Sequence, residues 1–578
     1  MAASTEITER HRSSWKAFTW GCFVFVAASA AGWVAAFDIT RFPNSVGPFL
    51  SQSTMALTVL GRAMCEAVGF QLDNITVAQV LERGGLTLSF FGRVGIVFAA
   101  AFLAAVTIAE WRRRQTPRRL RTKWIDRDIP PWSEGKDAIA NANSTLLAGI
   151  KRTGRGLEIC PGIPLSKEQE ARSLAVVGEP GSGKTVAFWQ VIFQLLKRRC
   201  HIIGHDVKGD LTARWPGQFI LLAPHDARSW GWAIGRDIVG TVLARELSTL
   251  LVAAAGNDPQ WAEGAREILV GIIKTLQHER RTEWGWPDLK AALELDDAAL
   301  KDFACRFHPV AKRFTSLDGD QNFTKNAGSY VSTLMAPINR LIEPLAAAWG
   351  GLRPQFQMSL TEWLDNPNPT FRTLILQRAP DLGALSTAWI GSAVQVIAQH
   401  LVGTRRDRNP GDQHASHPPD VWLLLDEFAQ LGPISSSFLP LLEVGRSLGV
   451  RAMVGLQNFQ QLSRIQGQHA PAELLQLIGT LVCFRLNPGA DAKRVCEERL
   501  TTAPVRTWIA NDKTGIKEPG SKEIRILSQD DLSRLEITRD GAQGYLLIGN
   551  AAFGLEWPFP NAPIQRDSSI RSAWIRSN

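Results

Sequence analysis

Two short stretches of the sequence combine residue types that bind phosphate groups and metal ions. The first is rich in glycine and ends in a lysine and a threonine: Gly178, Glu179, Pro180, Gly181, Ser182, Gly183, Lys184 and Thr185. Glycines let successive backbone N–H groups turn toward a phosphate, the lysine reaches the β- and γ-phosphates, and the threonine hydroxyl binds Mg²⁺. The stretch therefore predicts a phosphate loop that binds ATP and Mg²⁺, with Thr185 as a metal ligand.

The second stretch is a pair of carboxylates at the end of an apolar run. Residues 421–425 are all apolar and are followed by Asp426 and Glu427. In ATPases with a phosphate loop, such a strand brings an acidic residue beside the bound metal. Asp426 is thus predicted to bind Mg²⁺, and Glu427 to act as the general base that polarises the attacking water. The alternative is a pair of carboxylates that only caps the turn after the strand.

Two further polar residues flank the apolar run 450–456. Arg446 precedes this run, and a guanidinium from a neighbouring subunit can offset the charge that builds up while a phosphoanhydride is hydrolysed. Gln457 follows the run, at a place from which it can sense the γ-phosphate. The alternatives are a solvated surface arginine and a glutamine that caps the next helix.

The segments around these residues have the patterns of strands and helices, and together they predict an α/β fold. Residues 173–178 and 370–377 have the composition of buried strands, and residues 186–196 that of an apolar helix. Helical periodicity dominates about 237–351, where one face carries Trp261, Ile268, Leu269, Ile272, Ile273 and Leu276. Such an apolar stripe indicates a helix packed against the core and gives no evidence of a catalytic role. We therefore expect a nucleotide-binding domain in two parts, 124–236 and 352–578, with an inserted all-α domain at 237–351.

The first 123 residues have the character of a membrane anchor. Residues 17–37 carry no charged side chain, and residues 86–109 carry only Arg93, near one end, so each is long enough to span a bilayer. Seven Lys/Arg follow the second span, against three in the loop 38–85. This bias predicts an external loop and two cytoplasmic termini. A cleaved signal peptide is the alternative for the first span.

Composition narrows the classes of partner and cofactor. The formal net charge of the 578 residues is +9, which favours an anionic partner, either nucleic acid or lipid head groups. The seven cysteines are scattered, without a Cys-x-x-Cys pair, so neither a zinc site nor a disulfide framework is expected.

Together these motifs resemble those of the type IV coupling proteins, the TraD/TraG-like ATPases of conjugation and type IV secretion. The resemblance extends to the segments His205-Asp206-Val207-Lys208-Gly209-Asp210, Asp426-Glu427-Phe428, Gly445-Arg446 and Gln457-x-x-x-Gln461-Leu462. It implies a RecA-like P-loop NTPase domain with an inserted all-α domain after the two-helix transmembrane anchor. It also favours Arg446 as a finger from the adjacent subunit and Gln457 as a sensor.

The function that the resemblance implies is that of a multi-pass ATPase of the bacterial inner membrane. It would form a homo-oligomer, a ring of six subunits, and deliver single-stranded DNA with its bound relaxase to the channel proteins of a type IV secretion system. Three alternatives stay open: a coupling ATPase for protein effectors, a DNA translocase of the chromosome-segregation type, and a membrane scaffold that binds nucleotide without hydrolysing it.

Overall fold

The computed structural model describes residues 19, 21–29, 88–114, 132–252, 259–406, 420–432, 435–500, 502–510 and 517–576. The chain forms two compact units, Met1–Lys123 and Trp124–Asn578. The predicted external loop 38–85 and most of the predicted span 17–37 lie outside the described residues.

The described part of the first unit is helical. Residues 21–29 form one helix, and α1 (Leu88–Arg114) forms another. The two helices contact each other, since the ring centroids of Phe25 and Phe98 lie 6.1 Å apart. Over the residues that the structure describes, no helix has the length and apolar character needed to cross a membrane. The two spans therefore stay predictions.

The second unit alternates strands and helices. Its strands are β1 (Trp132–Glu134), β2 (Arg155–Cys160), β3 (Ile163–Ser166), β4 (Leu174–Val177), β5 (His201–Asp206), β6 (Ile220–Leu222), β7 (Gly231–Trp232), β8 (Gln357–Met358), β9 (Thr373–Gln377), β10 (Val421–Leu425), β11 (Val450–Leu456), β12 (Thr480–Cys483), β13 (Thr502–Ala510), β14 (Lys517–Arg525), β15 (Gly541–Ile548) and β16 (Ala551–Pro558).

The α-helices of this unit are α2 (Gly135–Thr153), α3 (Lys167–Glu170), α4 (Lys184–Leu195), α5 (Asp210–Arg214), α6 (Ile234–Asp237), α7 (Gly240–Leu251), α8 (Pro259–Arg280), α9 (Trp286–Leu293), α10 (Asp297–Arg306), α11 (Lys325–Pro337), α12 (Glu343–Trp349), α13 (Leu360–Asp365), α14 (Gly383–Arg406), α15 (Ser435–Leu448), α16 (Phe459–Gln466), α17 (Ala470–Leu477), α18 (Ala490–Lys493), α19 (Gln529–Ser533) and α20 (Ala573–Arg576). Segments of 3₁₀ helix are Pro309–Arg313, Pro354–Phe356 and Phe428–Leu431, and segments of π-helix are Ile338–Ile342 and Arg494–Arg499.

The largest sheet has ten strands in the order β1-β16-β15-β12-β4-β11-β10-β5-β9-β6. From β12 to β6 every neighbouring pair is parallel. At the other side β15 is antiparallel to both β12 and β16, and β1 is parallel to β16. The loops that follow β4, β11, β10, β5 and β9 therefore meet at one edge, here called the carboxyl edge. The opposite edge is called the amino edge.

Both faces of this sheet are buried, which explains why its strands are continuous apolar runs. Along β4, Ala175 and Val177 point into one core, and Leu174 and Val176 point into the other. Strand β10 divides its residues between the same two cores. The apolar strands expected around 173–178, 370–377, 421–425 and 450–456 are all present as β4, β9, β10 and β11.

Helices fill the segment between β7 and β8, as the periodicity predicts. On α8 the predicted apolar face is buried, with no more than 3% exposure at Ile268, Leu269, Ile272, Ile273 and Leu276. Trp261 is half-buried at the start of this helix, with its ring centroid 4.8 Å from that of Tyr330. The stripe is therefore core packing.

Candidate active site

The glycine-rich stretch forms a turn between the buried strand β4 and helix α4. Gly181 and Gly183 have φ values of +72° and +106°, which glycine adopts without steric cost. A Cβ at position 183 would also lie 2.4 Å from the Cβ of Ala542, so no larger residue fits there. The loop ends at the first turn of α4, where free N–H groups and the helix dipole favour an anion.

Backbone hydrogen bonds anchor this loop to neighbouring strands. The N–H of Gly178 donates to the carbonyl oxygen of Leu456 at 3.2 Å, and that of Glu179 donates to the oxygen of Arg485 at 3.0 Å. Within the loop, the N–H of Ser182 donates to the Glu179 oxygen at 3.1 Å. The turn is therefore held from both sides, by the ends of β11 and of β12.

Lys184 is buried at the base of the loop. Its Nζ donates to the carbonyl oxygens of Gly178 at 2.7 Å and Glu179 at 3.1 Å. Burial lowers the pKa of Lys184, and the nearby carboxylates of Glu427 and Asp426 oppose that shift. The structure thus brings the predicted phosphate-binding ammonium and the two predicted carboxylates into one electrostatic group.

Asp426 and Glu427 follow β10, which lies next but one to β4 in the sheet. Burial, with the neighbouring Glu427 as a second cause, raises the pKa of Asp426 to about 6, while Lys184 acts in the opposite direction. A cation at this place would restore the ionised form of Asp426.

The carboxylate of Glu427 is buried, with 4% exposure, and accepts a hydrogen bond from Nε2 of Gln457. Gln457 directly follows β11, the strand between β4 and β10. The amide of Gln457 therefore fixes the orientation of the Glu427 carboxylate, a contact that the sequence did not suggest.

The donor set at this edge fits Mg²⁺ bound together with a phosphate. Mg²⁺ prefers oxygen ligands and is commonly held by one or two protein oxygens plus phosphate oxygens. Asp426 and the half-buried Thr185 supply oxygens of this kind, and in the same loop the buried Ser182 Oγ has no hydrogen-bond partner. Among the described residues there is no group of three His, Cys, Asp or Glu side chains that would hold a metal without a phosphate.

Arg446 does not join this group in its own chain. It lies near the end of α15, just before β11 begins, and therefore at the amino edge. The strand that separates it from the loop has seven residues, and at about 3.3 Å per residue this corresponds to roughly 20 Å. Arg446 is half-exposed, and its Nη2 lies 3.5 Å from Oε1 of Glu168.

Two basic residues at the carboxyl edge were not selected from the sequence as site residues. Lys208 follows β5 and is near enough to act on the pKa values of both Lys184 and Asp426. Its loop is held by the buried Asp206, which accepts from the N–H groups of Gly209 at 2.8 Å and Thr212 at 2.7 Å.

Arg378 follows β9, and its Nη1 donates to the carbonyl oxygen of Gln430, just beyond the carboxylate pair, at 2.8 Å. Burial lowers the pKa of this guanidinium. Lys208 and Arg378 have one sequence feature in common with Asp426 and Gln457. Each lies within two residues after the end of a buried parallel strand.

Known families and proteins match this chain over most of the second unit. The profile of the family described as type IV secretion-system coupling protein DNA-binding domain matches residues 157–523. The coupling protein TraD of Escherichia coli (strain K12) is 19% identical over 346 residues, which are 58% of this chain and 45% of TraD. The chain thus spans less than half the length of that relative.

Solved structures of similar fold include those of the conjugative coupling protein TrwB. The unbound monoclinic form of TrwBΔN70 has a TM-score of 0.61 at 17% identity, over 74% of this chain and 95% of that one. TrwB in complex with ADP and Mg²⁺ has a TM-score of 0.57 at 18% identity, over 74% of this chain and 94% of that one. These matches confirm the predicted RecA-like α/β P-loop fold with a helical domain.

Proposed function

Because this chain belongs to the family of type IV secretion-system coupling protein DNA-binding domains, we propose that it is a coupling ATPase that delivers single-stranded DNA to a type IV secretion channel. The observation that carries the proposal is the group formed by the phosphate loop, Lys184, Asp426 and Glu427 at the carboxyl edge. The similar TrwB has been solved with ADP and Mg²⁺ and with the ATP analogue ADPNP, which supports ATP and Mg²⁺ as the ligands.

The residues of the loop bind and orient the nucleotide. The backbone N–H groups of Gly181 and Gly183 and of the first turn of α4 surround the phosphates, and Lys184 exchanges its two carbonyl contacts for phosphate oxygens. Thr185 and Asp426 hold Mg²⁺, which neutralises charge on the phosphate oxygens. Burial at the foot of the loop strengthens each of these electrostatic contacts, because water screens them less.

Glu427 acts on the attacking water. Its buried carboxylate accepts the proton of a water in line with the γ-phosphate, while Gln457 holds the carboxylate in one orientation. The hydrogen bond from Gln457 therefore makes it a positioning residue for Glu427, in addition to its predicted role as a γ-phosphate sensor.

Arg446 completes the site of the adjacent copy rather than its own. The amino edge of one subunit then faces the carboxyl edge of the next, an arrangement that generates a closed ring of identical contacts. A ring of six subunits, implied by the family resemblance, gives six such shared sites. A guanidinium delivered in this way makes hydrolysis depend on assembly.

The cargo is single-stranded DNA with its bound relaxase, and the channel proteins of the secretion system are the receiving partners. The net charge of +9 supports an anionic cargo. Sequence-independent binding of a strand requires contacts to its phosphates, so the affinity should fall steeply as salt concentration rises.

The test is ATP hydrolysis by the full chain in detergent, with and without single-stranded DNA. We expect DNA to raise the turnover of the wild type and Lys184→Ala to abolish it. Turnover that Lys184→Ala leaves intact would refute the assigned site. Turnover that depends on Lys184 but ignores DNA would refute the DNA cargo and favour a protein effector.

The N-terminal unit anchors the enzyme in the bacterial inner membrane, with spans at 17–37 and 86–109 and both termini in the cytoplasm. The uncharged stretch 17–37 and the basic residues after the second span support this topology. Washing membranes with alkaline carbonate tests it. The full chain should stay in the pellet and a chain lacking residues 1–123 should not, whereas release of the full chain would contradict an integral anchor.

A further inference from the structure

A cavity of about 810 Å³ lies at the amino edge of the large sheet, away from the phosphate loop. Its walls come from α2, from α17 and from the turn between β15 and β16. Strand β12 begins at this cavity, and β15 ends there, since Thr480 pairs with Ile548 in an antiparallel ladder. Ligand pockets commonly have volumes of about 300–1,000 Å³, so a small molecule fits in this space.

Arg499 lines the cavity without a carboxylate partner. Its Nη1 and Nη2 donate to the backbone carbonyl oxygens of Gly549 and Gly479 at 3.3 and 3.4 Å, both long hydrogen bonds. Its Nε is buried and has no acceptor. In the described part of the chain no Asp or Glu lies within ion-pair distance of this guanidinium, and burial lowers its pKa. Arg499 is half-buried, and charges withdrawn from water are usually paired, so an anion would complete the contacts of this guanidinium.

A second arginine, Arg172, contacts Gly479. A Cβ at position 479 would lie 2.6 Å from the Cβ of Arg172, so the stem of Arg172 packs directly on Gly479. The Arg499 guanidinium contacts the carbonyl of that residue. Gly479 therefore contacts both arginines, and both line the same cavity, where an anion would reduce the repulsion between their like charges.

Two carboxylates lie near these arginines, and both are already paired. Glu498, in the cavity lining, lies 3.0 Å from Nε of Arg494. Glu168 lies 3.6 Å from Nη2 of Arg172, but it also accepts from Arg152 and lies 3.5 Å from Arg446. The guanidinium groups therefore outnumber the two carboxylates, and the two arginines against the one carboxylate in the lining leave an excess of positive charge.

We propose that this cavity is a second ligand site, which binds the phosphate of a small phosphorylated molecule through Arg499 and Arg172. Guanidinium groups bind phosphate with paired, charge-assisted hydrogen bonds. The hydroxyls of Ser144 and Thr145 donate to helix carbonyls at 2.9 and 2.8 Å, so their oxygens can accept from hydroxyl groups of the ligand. The apolar side chain of Ile478 contributes a wall for its uncharged part.

The test is calorimetric titration of pyrophosphate into the full chain carrying Lys184→Ala, which disables the phosphate loop. We expect saturable binding that Arg499→Gln weakens by at least about tenfold, since a charge-assisted hydrogen bond contributes that much. Lys493→Gln removes the same charge from the same segment outside the cavity, and it should leave binding unchanged. No saturable binding, or equal losses in both variants, would overturn the proposal.

A second variant distinguishes loss of the Arg499 charge from a general loss of structure in Arg499→Gln. Ala472→Trp adds volume from the α17 wall and removes no charge. It should weaken pyrophosphate binding while ATP hydrolysis in the otherwise wild-type chain is retained. ADP should displace pyrophosphate from the Lys184→Ala chain. Displacement by oligothymidylate but not by ADP would overturn the small ligand and assign the arginines to a DNA strand.

Discussion

The two edges of the large sheet carry different chemistry. The carboxyl edge holds the phosphate loop, Lys184 and the carboxylates of Asp426 and Glu427. The amino edge holds Arg446, Arg172 and Arg152, which surround the carboxylate of Glu168. Seven strand residues separate Arg446 from its own phosphate loop. One copy of the chain therefore has every part proposed for hydrolysis but does not bring them together, and the proposed ring would do so by placing two copies edge to edge.

The largest fall in kcat is expected from a substitution at the amino edge. Arg446→Ala should lower kcat by about 10³-fold or more, because a finger that stabilises the transition state contributes that much to phosphoryl transfer. Affinity for ADP should change little, because the guanidinium acts on the charge that builds up during hydrolysis. Steady-state hydrolysis and ADP titration measure the two quantities. Arg313→Ala, an exposed arginine of the helical segment, is the charge-matched control.

At the carboxyl edge, Glu427→Gln should lower kcat by about 10²–10⁴-fold, the usual contribution of a general base. The variant keeps the shape of the side chain, so ATP binding should survive and unhydrolysed ATP should accumulate on the protein. Single-turnover measurements would reveal this. Glu443→Gln, an exposed carboxylate on α15, should have wild-type turnover, and a loss there as large as at Glu427 would contradict the assignment.

A smaller effect is expected for the residue that orients the base. Gln457→Ala removes the hydrogen bond to Glu427 and should lower kcat by about tenfold, with little change in KM. If Gln457 acts only through Glu427, then Gln457→Ala should have no further effect in a Glu427→Gln background. Additive losses would instead indicate a separate contact of Gln457 with the γ-phosphate.

The smallest expected effect is a pH-dependent change in thermal stability when Asp426 is replaced. The pKa of Asp426 rises to about 6 in the folded chain from an ordinary value near 3.8. The folded state therefore binds more protons than the unfolded state between these values, and stability falls as pH rises through this window. Without Mg²⁺, Asp426→Asn should raise the thermal midpoint by about 2–4 °C near pH 8, and by less near pH 5. An equal gain at both pH values would contradict the raised pKa.

Local patterns made part of this structure predictable. The strand before the phosphate loop, the helix after it and the strand before Asp426 are each specified by neighbouring residues, and they occur at 174–177, 184–195 and 421–425. The helical stripe of α8 was visible for the same reason, because its period is a property of one segment. The RecA-like fold followed from the resemblance in motifs.

Other features depend on the order of strands, which no local pattern contains. The position of β5 and β9 beside β10 brings Lys208 and Arg378 to the carboxyl edge, although they are far from Asp426 in sequence. The antiparallel addition of β15 and β16 contributes one wall to the cavity of Arg499, and the sequence offered no sign of either. The hydrogen bond between Gln457 and Glu427 likewise requires β11 to lie beside β10.

Mixing two inactive variants tests the central claim that the site is shared between copies. Lys184→Ala lacks a working loop and Arg446→Ala lacks the finger, so each protein alone should be without hydrolysis. In an equimolar mixture, some interfaces combine the intact loop of one variant with the intact Arg446 of the other, and turnover should reappear. A mixture that stays as inactive as its components, although the two proteins co-assemble, would contradict the shared site.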